Sequence, residues 1–157
     1  MRKLMLAGLT LLAAACGGGD GTGPNPDPDP NPNPSVAGTY LLDNIEDHAV
    51  PYVYDSKDVS GGTIKAYWLS GEIVLKADQT FTMKMVSKVT GPGYLGIPST
   101  QHWSGTWELE TDGVKLITSS GVAHYFFTGN NTELNVVASY TKMAGGTASL
   151  GFTFRKL

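Results

Sequence analysis

Residues 101–119, QHWSGTWELETDGVKLITS, constrain the fold of this chain more than any other stretch. Trp103, Gly105, Trp107 and Leu109 share one parity, while His102, Ser104, Thr106, Glu108 and Glu110 share the other. A period of two, apolar against polar, is the pattern of a strand that buries one face. Asp112-Gly113 suits the two positive-φ positions of a type I′ turn, after which residues 114–118 run back. The expectation is a β-hairpin with two tryptophans on its inner face.

The chain after residue 35 repeats the same period. Residues 36–45 read as an opening strand with Gly38, Tyr40 and Leu42 on one parity. A loop over 46–51 leads to 52–55, a short strand or an extended connection. Residues 63–69 and 72–77 are β in pattern, but the apolar parity shifts between Trp68 and Ile73, which predicts a bulge or bend at Ser70-Gly71. Phe81, Met83 and Met85 alternate with Thr82, Lys84 and Val86 in the next strand. Residues 91–98, GPGYLGIP, hold too many breakers for regular structure. Beyond the Trp hairpin, residues 122–128 are apolar on both faces, and the parity that His124 shares with Val122 and Phe126 points it inward. A turn at Gly129-Asn-Asn131 leads to a strand over 133–141. A loop over 142–146 then leads to a last strand, 147–156, with Leu150, Phe152 and Phe154 on one face.

After the N-terminal apolar run, no window carries an i, i+3, i+4, i+7 stripe. Eight strands joined by short turns form an antiparallel meander, and closing it on itself removes both exposed edges. The expected class is all-β, an eight-stranded antiparallel up-and-down barrel. Such a barrel has an interior that side chains fill or that holds one small ligand.

The ends of the chain set its address. Arg2 and Lys3 precede an apolar run over residues 4–15, too short to span a bilayer. The run closes on Ala13-Ala14-Ala15 before the only cysteine, Cys16. This arrangement resembles a bacterial lipobox, with Leu12 one residue further from the cysteine than the usual leucine. The resemblance implies cleavage before Cys16 and diacylation of that residue, which would anchor the chain to a membrane. The alternative is an ordinary secretory signal cut after Ala15, leaving a free thiol. Residues 16–34 continue as CGGGDGTGPNPDPDPNPNP, a tether without a hydrophobic side chain after the cysteine, so nothing there can form a core. Its Pro-rich part, residues 24–34, reaches roughly 34 Å if extended at about 3.1 Å per residue. Gly17 after the cysteine is compatible with delivery to an outer membrane. The expected location is therefore the bacterial cell envelope, with the chain lipid-anchored.

Residues 35–157 make one domain, long enough for a core. Without Arg2, Lys3, Asp20, Asp27 and Asp29, nine Lys and Arg stand against eleven Asp and Glu, a net charge of −2. A balance so mild argues against a nucleic-acid footprint and against a polybasic membrane patch.

Several short motifs within this domain resemble the bacterial lipocalin-like, calycin-type lipoproteins. They are Gly38-Thr-Tyr40 in the first strand, where lipocalins carry Gly-x-Trp, residues 71–81 (GEIVLKADQTF), Ser104-Gly-Thr-Trp107 and the terminal Phe152-Thr-Phe-Arg155. The resemblance implies a small barrel after a lipobox and tether. It also implies that Arg155 packs across Tyr40 as a cation–π contact of about 0.5–2 kcal/mol.

Residues that carry chemistry elsewhere have bland settings here. Glu46-Asp47-His48 is a polar loop cluster without a recognised metal-ligand spacing, so no metal or cofactor is implied. Ser104-Gly105 is not a nucleophile elbow, residues 91–96 are not a phosphate loop, and Glu108 and Glu110 form a solubilising row on the polar face. The expectation is a protein that is not an enzyme. The binding candidates are Trp68, Met83, Met85, Trp103, Trp107 and Phe126 as a pliable apolar inner face, with Tyr94, Leu95 and Ile97 as its lid. The partners expected are the membrane through Cys16, and a small apolar molecule or an envelope protein. In the competing reading the barrel is filled and serves only as a structural or interaction scaffold.

Overall fold

Alternation of apolar and polar residues along nearly every segment leaves the chain one economical solution, a sheet rolled around its own apolar face. The structure, a computed structural model, describes residues 36–128 and 132–157. The signal, Cys16, the tether and the turn at Gly129-Asn-Asn131 lie outside the described residues. Eleven strands follow in order: β1 (Gly38–Ile45), β2 (His48–Ala49), β3 (Tyr52–Val59), β4 (Gly62–Leu75), β5 (Thr80–Gly91), β6 (Tyr94–Leu95), β7 (Ser99–Leu109), β8 (Gly113–Thr118), β9 (Gly121–Thr128), β10 (Glu133–Thr141) and β11 (Thr147–Lys156). No helix occurs among the described residues.

Eight of these strands close a ring in the order β1-β11-β10-β9-β8-β7-β5-β4, and β4 returns to β1 through pairs such as Tyr40↔Ile73. All neighbours are antiparallel, giving the expected up-and-down barrel. The parity break in β4 is real: the β4–β5 register shifts between Trp68 and Ser70. It divides one edge of β4 between two partners, since Glu72–Leu75 pairs with β1 while Gly62–Trp68 pairs with β3. Residues 52–59 are thus a strand and not a connection, and β3 extends the wall beyond β1. Side chains rather than a ladder tie it across to the β10–β11 hairpin. Tyr140 Oη donates to Tyr54 O at 2.6 Å, and Met143 N donates to Asp55 Oδ2 at 2.6 Å.

One half of the interior is solid. Val36, Tyr40, Ile73, Leu75, Phe81, Trp107, Val114 and Leu134 are all within 1% of complete burial. Trp107 Nε1 donates to Lys76 O at 2.9 Å, which satisfies the one polar atom that the indole carries inward. Tyr40 Oη likewise donates to Val36 O at 2.8 Å.

Four expectations need correction. Asp112-Gly113 is not a type I′ turn, because neither residue has positive φ; Glu110 N donates to Gly113 O at 2.9 Å across a longer connection. Gly113 serves close approach instead, since a Cβ there would lie 1.9 Å from Tyr125 O. Two consecutive left-handed residues occur at Glu46 (φ 50°) and Asp47 (φ 62°), between β1 and β2. Glu46 is held there by Gly151, whose N–H donates to Glu46 Oε1 at 2.5 Å and whose carbonyl accepts from Glu46 N at 3.0 Å.

Second, residues 91–98 contain regular structure after all, because β6 folds back onto Thr90 and Gly91. Third, Arg155 does not cover Tyr40. It points outward and pairs with Asp43 and Glu133, each at 3.1 Å, while Lys156 places Nζ 5.7 Å from the Tyr40 ring centroid. Fourth, His124, Val122 and Phe126 face outward, and Tyr125 between them faces in, because Val114↔Tyr125 and Leu134↔Phe127 set the β9 register.

Candidate functional site

The other half of the barrel is hollow. A cavity of about 670 Å³, open on one side, is bordered by β4, β5, β7, β9, β10 and β11. This volume falls in the range of pockets that bury a small organic molecule. Met83 and Trp103 stand opposite one another in the β5–β7 ladder and line it together. Trp68 closes one side and is itself fixed by two rings: Tyr54 stacks on it at 5.3 Å, and Phe152 meets it edge-on at 6.1 Å. Met85, Tyr125, Val136 and Phe154 complete the apolar wall. Tyr125 is edge-on to Phe154 at 6.2 Å, and its Oη points at Met83 Sδ, 3.4 Å away.

A break in the barrel wall gives access to this space. β10 pairs with β11 over nine positions and β9 with β8 over six, yet β9 and β10 share only three pairs: Glu133↔Thr128, Leu134↔Phe127 and Asn135↔Phe126. Continued in the same register, Val136 would meet Tyr125 and Val137 would meet His124. Those pairs do not form, and the same residues border the cavity instead. Val122, Phe126 and Val137, which are 55%, 51% and 73% exposed, flank the slit with apolar surface. Exposed apolar groups gathered at the mouth of an apolar cavity are more than the scattered singles of an ordinary surface.

The electrostatics are those of an oily interior. Among the described residues, no Lys, Arg, Asp or Glu lines the cavity. His124 touches its rim from the outer face, where Nδ1 donates to Glu110 Oε2 at 2.9 Å. Burial pushes the Tyr125 phenol up to about 12. The polar side-chain groups of the lining are Gln101, the Tyr125 hydroxyl and the indole N–H groups of Trp68 and Trp103, with His124 at the rim.

Of the residues singled out from sequence, Trp68, Met83, Met85, Trp103 and Phe126 gather around this cavity. Trp107 does not, being sunk in the solid half. Tyr94, Leu95 and Ile97 border a separate hollow of about 350 Å³ with Ser87, Val89 and Ser99. They share no lining residue with the main cavity, so they are not its lid. Sequence reasoning missed Tyr125 and Val136; the parity of Tyr125 with Ala123 and Phe127 was the available signal. His48 Nδ1 donates to Glu46 O at 2.5 Å beside the Tyr52 ring, and no group of three His, Cys, Asp or Glu stands at metal-ligand spacing among the described residues.

Comparison with protein-family models, curated proteins and solved structures finds no match for this chain.

Proposed function

We propose that this chain is a lipid-anchored protein of the bacterial envelope whose lipocalin-like barrel binds a small apolar molecule without catalysis. The observation that carries the reading is the half-filled barrel: one end packed, the other a Trp- and Met-lined cavity reached through the slit between β9 and β10. Met side chains adapt to irregular shapes and aromatic walls contribute large contact areas, which suits an apolar guest. The short apolar run ending at Cys16, followed by a tether without apolar side chains, supports anchoring at a membrane.

Titration of the purified chain with an environment-sensitive apolar probe tests the binding. Trp68 and Trp103 line the cavity, so their emission should change saturably with one site per chain. Absence of a saturable response would reject a small-molecule role. Metabolic labelling with a fatty-acid analogue tests the anchor, and the label should be lost in Cys16→Ser. A second reading, a scaffold for an envelope protein, is favoured by Tyr94, Leu95 and Ile97, which are 51%, 89% and 69% exposed on β6 and the connection that follows it. Photo-crosslinking through these positions in cells would capture a reproducible partner if that reading holds.

A further inference from the structure

We infer that the cavity selects a neutral apolar molecule bearing one hydrogen-bond acceptor, which accepts a hydrogen bond from the Tyr125 hydroxyl. The inference rests on the proposed binding role and names the chemical class of guest. Tyr125 is 5% exposed and lines the cavity wall, yet the partner of its Oη among the described residues is a thioether, Met83 Sδ at 3.4 Å. Sulfur of this kind is a weak acceptor. Native interiors rarely leave a buried hydroxyl so poorly served. An oxygen acceptor on a guest would give the hydroxyl the partner that the protein itself does not.

The same lining argues against an anion. No Lys or Arg among the described residues borders the cavity, and His124 at the rim turns its Nδ1 outward to Glu110. A carboxylate drawn in beside Tyr125 would lose its water without gaining a counter-charge. Burial already holds the Tyr125 phenol neutral to unusually high pH, a sign that this environment resists negative charge. A ketone, aldehyde, ester or ether on an aliphatic or isoprenoid body fits; a fatty-acid anion does not.

Three matched ligands test this on the purified full chain, with Trp emission as the readout: methyl octyl ketone, decane and decanoate. The ketone should bind roughly three- to tenfold more tightly than decane, the margin of one net hydrogen bond. Decanoate should bind more weakly than the ketone. In Tyr125→Phe the ketone should lose its margin and bind no more tightly than decane, because its carbonyl is then buried without a donor. Independently of any variant, the infrared carbonyl stretch of the bound ketone should move to lower frequency than that of the ketone in alkane. Equal binding of ketone and decane to the unaltered chain, or tighter binding of decanoate, overturns the selectivity while leaving the apolar site intact. Failure of all three ligands to bind rejects the binding role itself.

Discussion

Replacing Trp107 and Trp103 by alanine, one at a time, separates the two halves of the barrel. The residues lie on one strand and one face, four positions apart, so propensity and chemistry are matched. Trp107 is 1% exposed, contacts the solid core and donates Nε1–H to Lys76 O. Truncating it removes a close-packed indole and leaves a void, a change that costs about 3–5 kcal/mol in well-packed cores. Trp103 is only partly buried and already borders empty space, so it loses fewer contacts and creates little new void. Its truncation should cost about 1–2 kcal/mol, in line with partial burial of a large side chain. Against a domain stability of about 5–15 kcal/mol, the difference is measurable. Equilibrium urea unfolding followed by far-UV circular dichroism, fitted with a shared m-value, gives both numbers. The ligand titration should show the reverse order, with Trp103→Ala weakening apolar binding more. A loss below about 1 kcal/mol for Trp107→Ala, or equal losses for the two variants, would refute the division into a packed and a hollow half.

Two glycines should prove intolerant of a methyl group. Gly105→Ala and Gly113→Ala place Cβ 1.9 Å from Ile117 O and Tyr125 O respectively, and a backbone atom cannot swing aside. Each should cost at least about 2 kcal/mol in the same unfolding assay, and losses under about 0.5 kcal/mol would contradict the strand spacing. Stability should also fall in alkali. Burial raises the Tyr40 and Tyr125 phenols from the ordinary value near 10 to about 12, so the fold favours their protonated forms. That contribution is complete below about pH 10 and is lost as pH rises from about 10 to about 12. Melting temperatures measured across this range should drop as tyrosinate absorbance grows, and a flat profile would contradict the burial of both rings.

How much of this was legible in the sequence depends on contrast between faces. The Trp hairpin and the bulge after Trp68 were readable because apolar and polar residues alternate cleanly or break register at one point. In β9 the contrast vanishes. Val122 and Phe126 are apolar although they face outward, because they border the slit, so parity alone could not choose between them and Tyr125. Alternation from Phe152 and Phe154 assigns Lys156, not Arg155, to the inner face; the family resemblance pointed to the wrong neighbour. The left-handed pair Glu46-Asp47 had no local signal, since glutamate is an unusual residue there and its restraint comes from Gly151, far along the chain. The slit itself is a failure of β9 and β10 to continue pairing, and residue types along two strands do not encode where a ladder stops. The cavity follows from that failure, so the sequence supplied its lining without its shape.

On the proposed function, an apolar guest resides in the unfilled half of the barrel. Ala123 and Val136 project from β9 and β10 beside that space. Decane titration of the unaltered chain, Ala123→Trp and Val136→Trp, with circular dichroism to confirm that each is folded, probes that space. Saturable single-site binding to the unaltered chain is expected, lost in both folded tryptophan variants because the new indole occupies the space. Binding of unchanged affinity in either folded variant would contradict that placement.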